Sequence, residues 1–263
     1  MKSLAPRRQC LSVLALLLVA HPAATLMADS HPSDQAVERY LLKAQVTRIH
    51  MVMTATTYPM SVDLERKGEV RRAVFKYGQS EGPPLDDFRH EVAAYRLDRA
   101  LDLHMVPVAV LRNVKTEGAL IEWISPASTE QELREQGALP SDTQRLDEQR
   151  AVMNLFDALI LNLDRKESDQ LITTEDWNLH LIDHSRAFQV STDLPESFVS
   201  QPCHLSQSLE RKLEKLEAKP LAILFDGLLT DAQIQALLQR RDKILTKIAA
   251  DREQMGDTAV HLD

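Results

Sequence analysis

The sequence predicts an α+β fold of two lobes, in which an antiparallel sheet with one helix is followed by a mostly helical region. Strand-like segments dominate the first half of the chain, long helical patterns dominate the second, and one helical pattern interrupts the strands. The 263 residues are enough for two lobes that share a cleft. We expect a signal peptide over 1–28, an N-terminal lobe over 29–124 and a C-terminal lobe over 125–263.

The N-terminal lobe is predicted from runs of apolar and β-branched residues and from one helical repeat. The pair Lys67-Gly68 marks a turn between two strand patterns, and Phe88, Val92 and Tyr95 recur at helical spacing. We expect, in order, strands over 45–53, 60–66 and 70–77, a helix over 84–101, and strands near 106–112 and 119–124. The first three strands follow one another closely and predict an antiparallel meander.

The C-terminal lobe is predicted to contain one long helix, a pair of short strands and a helical end. Ser206 and Thr230 are suitable N-caps for helices near the C-terminus. We expect a short helix over 129–136, a long helix from about 142 to 162, strands near 170–173 and 178–183, and an amphipathic helix that carries Ile234, Leu237, Leu238, Ile244, Leu245 and Ile248.

The first 28 residues have the pattern of a secretory signal peptide. Lys2, Arg7 and Arg8 precede the weakly polar-to-apolar run 11–20, and small residues around Ala28 suit cleavage. An uncleaved anchor is the alternative, but the run is short beside the roughly 20 apolar residues of a membrane span. We therefore expect an exported protein, periplasmic or secreted, whose mature chain starts near Asp29 and has no integral membrane segment. A true start at Met27 would instead leave the protein in the cytoplasm.

Charge and cysteine content exclude two further classes of protein. The formal net charge is −8, and no long basic stripe is visible, which argues against nucleic acid as a partner. Of the two cysteines, Cys10 belongs to the predicted signal peptide and Cys203 remains alone. A disulfide scaffold is therefore excluded for the mature chain.

Two charged residues fall where apolar side chains are expected. Glu91 lies three residues after Phe88 and four before Tyr95, which places it on the apolar face of the predicted helix. Lys76 follows Val74 on a strand of the same lobe. A buried carboxylate is unfavourable unless it is paired. A Lys76–Glu91 ion pair would satisfy both residues, whereas a small rotation of the helix would leave Glu91 in solvent; periodicity alone favours neither.

An acidic loop follows the long helix, and a further carboxylate follows a later strand. Asp164 and Asp169 lie in the loop segment NLDRKESD, and Asp183 follows the apolar stretch 179–182. Convergent carboxylates suit a hard divalent cation. A zinc site of His180, Asp183 and His184 is a less favoured alternative, because on a strand Asp183 points away from the two histidines.

These four segments, in this order, resemble the protein-kinase-like superfamily. The strand AVFKYG, the helix FRHEVAAYRLDRAL, the loop NLDRKESD and the strand end LHLIDHSRAF are similar to phosphoinositide-kinase-like, HipA-like and secretory-pathway kinases of the Golgi casein kinase type, and most of all to small bacterial proteins of that kind. The similarity covers roughly residues 40–250. It implies a two-lobed kinase-like fold.

The resemblance also implies roles for the charged residues. Lys76 would hold the phosphates of a nucleotide, and Glu91 would orient Lys76. Asp164 would be the catalytic residue that deprotonates the acceptor hydroxyl. Asp169 and Asp183 would hold Mg²⁺ or Mn²⁺. Many relatives have Asn at the place of Asp169.

The remaining nucleotide contacts are implied for two loops. The segment 54–59 would cover the phosphates; it contains no glycine, and its threonine hydroxyls would take the place of glycine N–H groups. The segment 121–124 would be the hinge between the lobes. The residues implied as cofactor-binding are Thr54, Thr56, Thr57, Glu122, Trp123 and Ile124, beside Lys76 and Glu91.

Three functions follow as hypotheses. The first is a metal-dependent phosphotransferase that uses ATP or another nucleotide and acts on an unknown hydroxyl of a protein or small molecule. The second is an exported pseudokinase with little or no catalysis, and the third is an interaction domain that binds no nucleotide. The scarcity of ATP outside the cytoplasm keeps the second hypothesis and a different phosphate donor open.

Overall fold

The structure is a computed structural model that describes residues 32–51, 59–78, 86–140 and 143–261. The described chain folds into a larger sheet with two helices, followed by a small sheet and a set of helices. The predicted α+β architecture is confirmed. The predicted signal peptide lies outside the described residues.

The larger sheet is antiparallel and has five strands in the order β1-β2-β3-β5-β4. The predicted meander of the first three strands is confirmed. Helices α1 and α2 both contact strands β4 and β5. The elements of this region are α1 (Pro32–Lys43), β1 (Gln45–Met51), β2 (Met60–Arg66), β3 (Glu69–Tyr77), α2 (Arg89–Leu101), β4 (Ala109–Asn113) and β5 (Glu117–Glu122).

Two glycines allow strand β3, which carries Lys76, to pair with its neighbours β2 and β5. The predicted turn between β2 and β3 is formed by Lys67 and Gly68, both with positive φ, which suits the twist of a two-residue hairpin. On β5, a Cβ added to Gly118 would lie 2.5 Å from the carbonyl oxygen of Lys76 and from the ring of Phe75. Glycine at position 118 therefore lets β5 lie close beside the end of β3 that carries Lys76.

The second region is helical except for a three-stranded antiparallel sheet in the order β6-β7-β8. A short 3-10 helix, Glu167–Asp169, precedes β7. The other elements are β6 (Ser128–Thr129), α3 (Glu130–Glu135), α4 (Gln144–Ile160), β7 (Gln170–Thr173), β8 (Asn178–Leu181), α5 (Glu196–Val199), α6 (Gln207–Glu214), α7 (Ala218–Leu224), α8 (Asp231–Met255) and α9 (Asp257–Val260). Ser206 and Thr230 cap α6 and α8, as predicted.

Two element boundaries differ from the prediction in ways that concern the site. The helix predicted over 84–101 begins at Arg89, whose main-chain N–H donates to the carboxylate of Asp87. The strand predicted over 178–183 ends at Leu181. Asp183 therefore lies beyond the strand, with a φ of 65°. Because its backbone is left-handed, Asp183 does not follow the alternation of side-chain directions that a strand would impose.

The segment between the two sheets, from Trp123 to Ala127, joins the two regions. It contains the predicted domain boundary between residues 124 and 125, which stays a prediction. Within the described part of the chain, none of the helices combines the length and the apolar character that a membrane span needs.

Candidate active site

A cavity of about 530 Å³ lies between the five-stranded sheet and the small sheet. Its charged lining residues include Lys76, Glu91, Asp169 and Asp183. The apolar part of the lining comes from Val74, Val106, Pro107, Ala109, Ile121, Ile124, Ala127, Leu171, Leu181 and Ile182. A mostly apolar cavity with a few converging charged groups is the usual form of a ligand site.

Lys76 joins the two regions across this cavity. Its Nζ donates to Oε1 of Glu91 at 2.6 Å and to Oδ1 of Asp183 at 2.7 Å. Glu91 comes from α2 and its side chain is 3% exposed, whereas that of Asp183 is 47% exposed. Glu91 is therefore paired with Lys76, and the alternative in which a rotated helix leaves Glu91 in solvent is wrong.

The two buried partners stabilise each other's charge. Burial alone would lower the pKa of Lys76, but the carboxylates of Glu91 and Asp183 raise it above its ordinary value. Burial alone would raise the pKa of Glu91, but Lys76 and His184 lower it well below its usual range. Both side chains are therefore charged at neutral pH.

His184 connects Glu91 to the loop after α4. Its main-chain N–H donates to Oε1 of Glu91 at 3.0 Å, and its Nε2 lies 3.0 Å from Nη2 of Arg165. Because an arginine only donates, we assign Nε2 as the acceptor and place the proton on Nδ1. Nδ1 lies 3.4 Å from Oε2 of Glu91. Sequence reasoning considered His184 only as a zinc ligand.

Arg165 supports the backbone of both predicted metal ligands. Its guanidinium donates to the main-chain carbonyl of Asp169 at 3.2 Å and to that of Ile182. Two bonds of 2.9 Å to the carboxylate of Asp157 hold it in place. The prediction missed both residues of this pair. The signal was available: Asp157 is a carboxylate among the apolar residues of α4, just as Glu91 is on α2.

Asp169 and Asp183, the two residues predicted to hold a divalent cation, both line the cavity. Asp169 accepts hydrogen bonds from the main-chain N–H of Lys166 at 3.0 Å and from the hydroxyl of Ser168 at 3.2 Å. Burial, together with the negative charge of Asp183, raises the pKa of Asp169. Two oxygen donors in one cavity are what Mg²⁺ and Mn²⁺ require from a protein when phosphates complete the coordination.

Asp164 lies apart from this pair. It is not among the residues that line the cavity, and its Oδ2 is 3.3 Å from the guanidinium of Arg186, which also bonds Asp86 at 2.8 Å. Of the three predicted carboxylates, Asp169 and Asp183 line the cavity and Asp164 contacts Arg186; the catalytic role predicted for Asp164 stays a prediction.

The residues that the structure describes form no metal cluster from protein ligands alone. Among the residues that the structure describes, no three or more His, Cys, Asp or Glu side chains are arranged to hold a metal ion. The zinc alternative also lacks His180, which lines a different cavity. A cation at Asp169 and Asp183 would therefore need further oxygens from water or from a bound substrate.

The segment predicted as the hinge lines the cavity with Glu122, Trp123 and Ile124. The main-chain N–H of Glu122 already donates to the carbonyl of Val108 at 2.8 Å, so it is not available to a base. Trp123 is partly exposed and carries the guanidinium of Arg72 over its ring at 5.3 Å. Thr54, Thr56 and Thr57 lie outside the described residues, and their predicted role stays a prediction.

Two comparisons of the sequence give no match. No protein-family model matches the chain, and no curated protein matches it.

Comparison with solved structures does give matches. The crystal structure of the Golgi casein kinase with Mn/ADP bound is 16% identical and aligns over 87% of this chain and 78% of its own, with a TM-score of 0.66. Hydra Fam20 with sugar is 17% identical over 89% and 93% of the two chains, with a TM-score of 0.67. The Helicobacter pylori proinflammatory kinase CtkA is 10% identical over 82% and 98%, with a TM-score of 0.56. The chain therefore has a kinase-like fold.

Proposed function

We propose that the chain is a metal-dependent phosphotransferase that moves a phosphoryl group from a nucleotide to a hydroxyl of a protein or small molecule. The observation that carries the proposal is Lys76, which contacts both Glu91 on α2 and Asp183 after β8. In kinases the corresponding lysine–glutamate pair and the metal-binding aspartate must both be in place. The Mn/ADP bound by the Golgi casein kinase supports the same requirements here.

The nucleotide, ATP or another nucleoside triphosphate, would occupy the cavity between the two sheets. Its base would lie against the apolar lining and meet main-chain groups of Trp123 and Ile124. Lys76 would donate to the phosphate oxygens, and Glu91 would keep the lysine extended toward them. The pKa shifts favour this role, because Lys76 remains charged inside the cavity.

Asp169 and Asp183 would hold Mg²⁺ or Mn²⁺. When bound, the metal ion neutralises charge on the phosphates of the nucleotide. Lys76 contacts only Oδ1 of Asp183, which leaves Oδ2 as a ligand. Asp169 keeps its position through Lys166 and Ser168, so its carboxylate is oriented before the ion binds.

In the transfer step the oxygen of the acceptor hydroxyl would form a bond to the terminal phosphorus. The bond from that phosphorus to the bridging oxygen of the nucleoside diphosphate would break, and the diphosphate would leave. Asp164 would take the proton of the hydroxyl. Its neighbour Arg186 would hold the carboxylate in position.

The test is phosphate transfer from ATP or GTP with Mg²⁺ or Mn²⁺, measured beside the thermal stability of the same samples. We expect nucleotide and metal together to raise the melting temperature, because they bind the folded state. Asp164→Ala should keep that stabilisation and lower transfer by about 10²- to 10⁴-fold. Asp226→Ala, which changes an exposed aspartate far along the chain, is the matched control.

Two results would contradict the proposal. Stabilisation by nucleotide with no transfer to a wide set of hydroxyl acceptors would favour the pseudokinase hypothesis. No stabilisation by any combination of nucleotide and metal would remove both kinase hypotheses and leave the interaction domain.

We also propose that the protein is exported, on the basis of the charged start and short apolar run at the N-terminus. N-terminal sequencing of the protein from its native host should begin near Asp29. A product that begins at Met1 or Met27 and stays in the cytoplasm would contradict export, and it would supply the protein with cytoplasmic ATP.

A further inference from the structure

A buried histidine of α2 contacts the turn that follows β8. The turn, residues 183–186, begins with the proposed metal ligand Asp183 and ends with Arg186, which lies 3.3 Å from the carboxylate of Asp164; we name it the Asp183 turn. His90 belongs to the helical motif FRHEVAAYRLDRAL and is 3% exposed. Because the turn carries two groups of the candidate site, a residue that fixes the turn affects both groups.

The imidazole of His90 donates to the main chain of the Asp183 turn. Nδ1 of His90 lies 2.9 Å from the carbonyl oxygen of Ser185, which also accepts the main-chain N–H of Asp87 at 2.8 Å. A carbonyl oxygen only accepts, so we assign the proton of the neutral imidazole to Nδ1. Ser185 is buried, and the start of α2 therefore supplies both donors that its carbonyl oxygen can use.

The second ring nitrogen of His90 is held by a residue of α8. Nε2 of His90 lies 3.1 Å from the amide nitrogen of Gln233, which donates, so the imidazole accepts there. The amide oxygen of Gln233 accepts in turn from the main-chain N–H of Thr230 at 2.8 Å and from its hydroxyl at 2.9 Å. These bonds assign one orientation to the Gln233 amide and one tautomer to His90. Burial lowers the pKa of His90, which favours the same neutral form.

Ser185 connects the histidine to the proposed metal ligand. The hydroxyl of Ser185 donates to Oδ1 of Asp183 at 3.3 Å. Asp183 has a φ of 65°, a backbone conformation that non-glycine residues rarely adopt and that persists where the surrounding structure stabilises it. The bond from His90 to the carbonyl of Ser185, two residues later, is one contact of this stabilising kind.

Packing alone does not account for a histidine at position 90. The ring lies 5.6 Å from that of Phe188, a contact for which a purely apolar side chain would serve equally well. A buried imidazole is unfavourable unless its nitrogens are bonded, and here each nitrogen has a partner on a different element. The specific contribution of His90 is therefore the link that it forms between α8 and the Asp183 turn.

We propose that His90 is a positioning residue of the candidate site and that it fixes the Asp183 turn to α2 and α8 through the carbonyl of Ser185. The turn then presents Asp183 to a divalent cation and Arg186 to Asp164 without rearrangement when nucleotide binds. The effect on metal binding rests on the proposed function, whereas the effect on the turn is measured in the ligand-free chain.

The first test is hydrogen exchange in the full chain without ligand, measured by mass spectrometry. The amides of His184 and Ala187 report on the turn, because they donate to Oε1 of Glu91 and to the carbonyl of His184. His90→Leu should raise their exchange rates about fivefold, as the loss of one neutral hydrogen bond predicts. His204→Leu makes the same change at a partly exposed histidine before α6 and should exchange as the wild type does.

Two amide variants separate the two ring nitrogens and keep the test valid if His90→Leu does not fold. In His90→Asn, Nδ2 branches from Cγ as Nδ1 does and can still donate to Ser185, so the exchange rates should stay within about twofold of the wild type. In His90→Gln the amide lies one carbon further out, toward Gln233, so the turn should exchange as fast as in His90→Leu. Equal exchange rates in His90→Asn and His90→Gln would overturn the proposal.

The second test is the affinity for Mn²⁺-ADP, measured on the same proteins. We expect the affinity to fall about threefold to tenfold in His90→Leu and His90→Gln and to stay unchanged in His90→Asn and His204→Leu. Equal affinity in all variants would overturn the positioning role and leave a bond that serves the fold alone. Failure of the wild type to bind Mn²⁺-ADP would count against the proposed phosphotransferase, and the exchange rates would still decide whether His90 fixes the turn.

Discussion

The two walls of the cleft differ in how far their charges are satisfied within the protein. On the wall from the five-stranded sheet and α2, Lys76 and Glu91 are buried and bonded to each other. On the opposite wall, the side chain of Asp183 is 47% exposed. The charges of the first wall are paired within the protein, so that removing one partner would destabilise the fold, whereas the second wall has a carboxylate that remains in contact with solvent.

Burial explains the difference. A charge in the interior must be paired, and losing its partner leaves the full desolvation penalty. An exposed carboxylate remains hydrated, so its pairing adds little to stability. Lys76 contacts both walls, so variants of Lys76 and its partners can measure separately what each wall contributes to stability and to ligand binding.

The largest effect is expected for Lys76→Met. The carboxylate of Glu91 would stay buried without its lysine, and we expect the free energy of unfolding to fall by about 3–5 kcal/mol. Urea denaturation followed by circular dichroism measures the change. Lys219→Met, at an exposed lysine of α7, is the control and should stay within about 0.5 kcal/mol of the wild type. A loss below about 1 kcal/mol for Lys76→Met would mean that His184 alone compensates the buried charge of Glu91.

Asp183→Asn should separate metal binding from stability. Because the side chain is nearly half exposed, we expect the free energy of unfolding to change by no more than about 1 kcal/mol. The increase of the melting temperature by Mn²⁺ and ADP should be lost. Retention of the full Mn²⁺-dependent increase would show that the ion binds elsewhere, and the proposed metal site would then be wrong.

Arg186→Gln tests the support of the exposed carboxylate of Asp164. We expect the transfer rate to fall about tenfold, because one charge-assisted contact that positions Asp164 is lost. Nucleotide-dependent stabilisation should not change. The matched control is Arg211→Gln on α6, an exposed arginine. An equal fall in transfer for both variants would count against a positioning role.

The smallest effect is expected for Asp169→Asn and concerns pH. Burial and the charge of Asp183 raise the pKa of Asp169, so the folded chain keeps a proton there at pH values where the unfolded chain has released it. The contribution of Asp169 to stability is therefore full below its unfolded pKa and is lost as the pH rises through its folded pKa.

Asn cannot ionise, so Asp169→Asn should become more stable relative to the wild type across that rise. Urea denaturation at a series of pH values measures the difference. In the wild type, Mn²⁺ affinity should begin to fall, on acidification, at a higher pH than for a carboxyl of ordinary pKa. If the free energies of unfolding of the wild type and Asp169→Asn differed by the same amount at every pH, the raised pKa of Asp169 would be contradicted.

Most elements of the fold could be predicted from the sequence because their apolar residues recur with a clear period. The helix carrying Phe88, Val92 and Tyr95 and the long helix before Asp164 were found, and their ends differ by a few residues from the prediction. Asp183 shows the limit: a strand pattern extended over it, yet it has a φ of 65° and contacts Lys76, which is 107 residues away along the chain.

The candidate site was predictable where a charged residue interrupts an apolar pattern. Glu91 was identified in this way and paired with Lys76. Arg165 and His184 were not, because an arginine in an acidic loop and a histidine after a strand are usually solvated. Their burial follows from Asp157 and Glu91, which lie 8 residues and 93 residues away along the chain.

The sequence by itself determined the order of strands and helices, the acidic loop, and the need for a partner at Glu91, because these depend on periodicity and on the cost of burying charge. Only the tertiary structure decided which carboxylates share the cavity. Asp169 and Asp183 line it, whereas Asp164 does not and contacts Arg186. That choice depends on how a left-handed backbone at Asp183 and the Arg165 bonds orient two separate loops, and no local pattern in a chain encodes the relative orientation of distant segments.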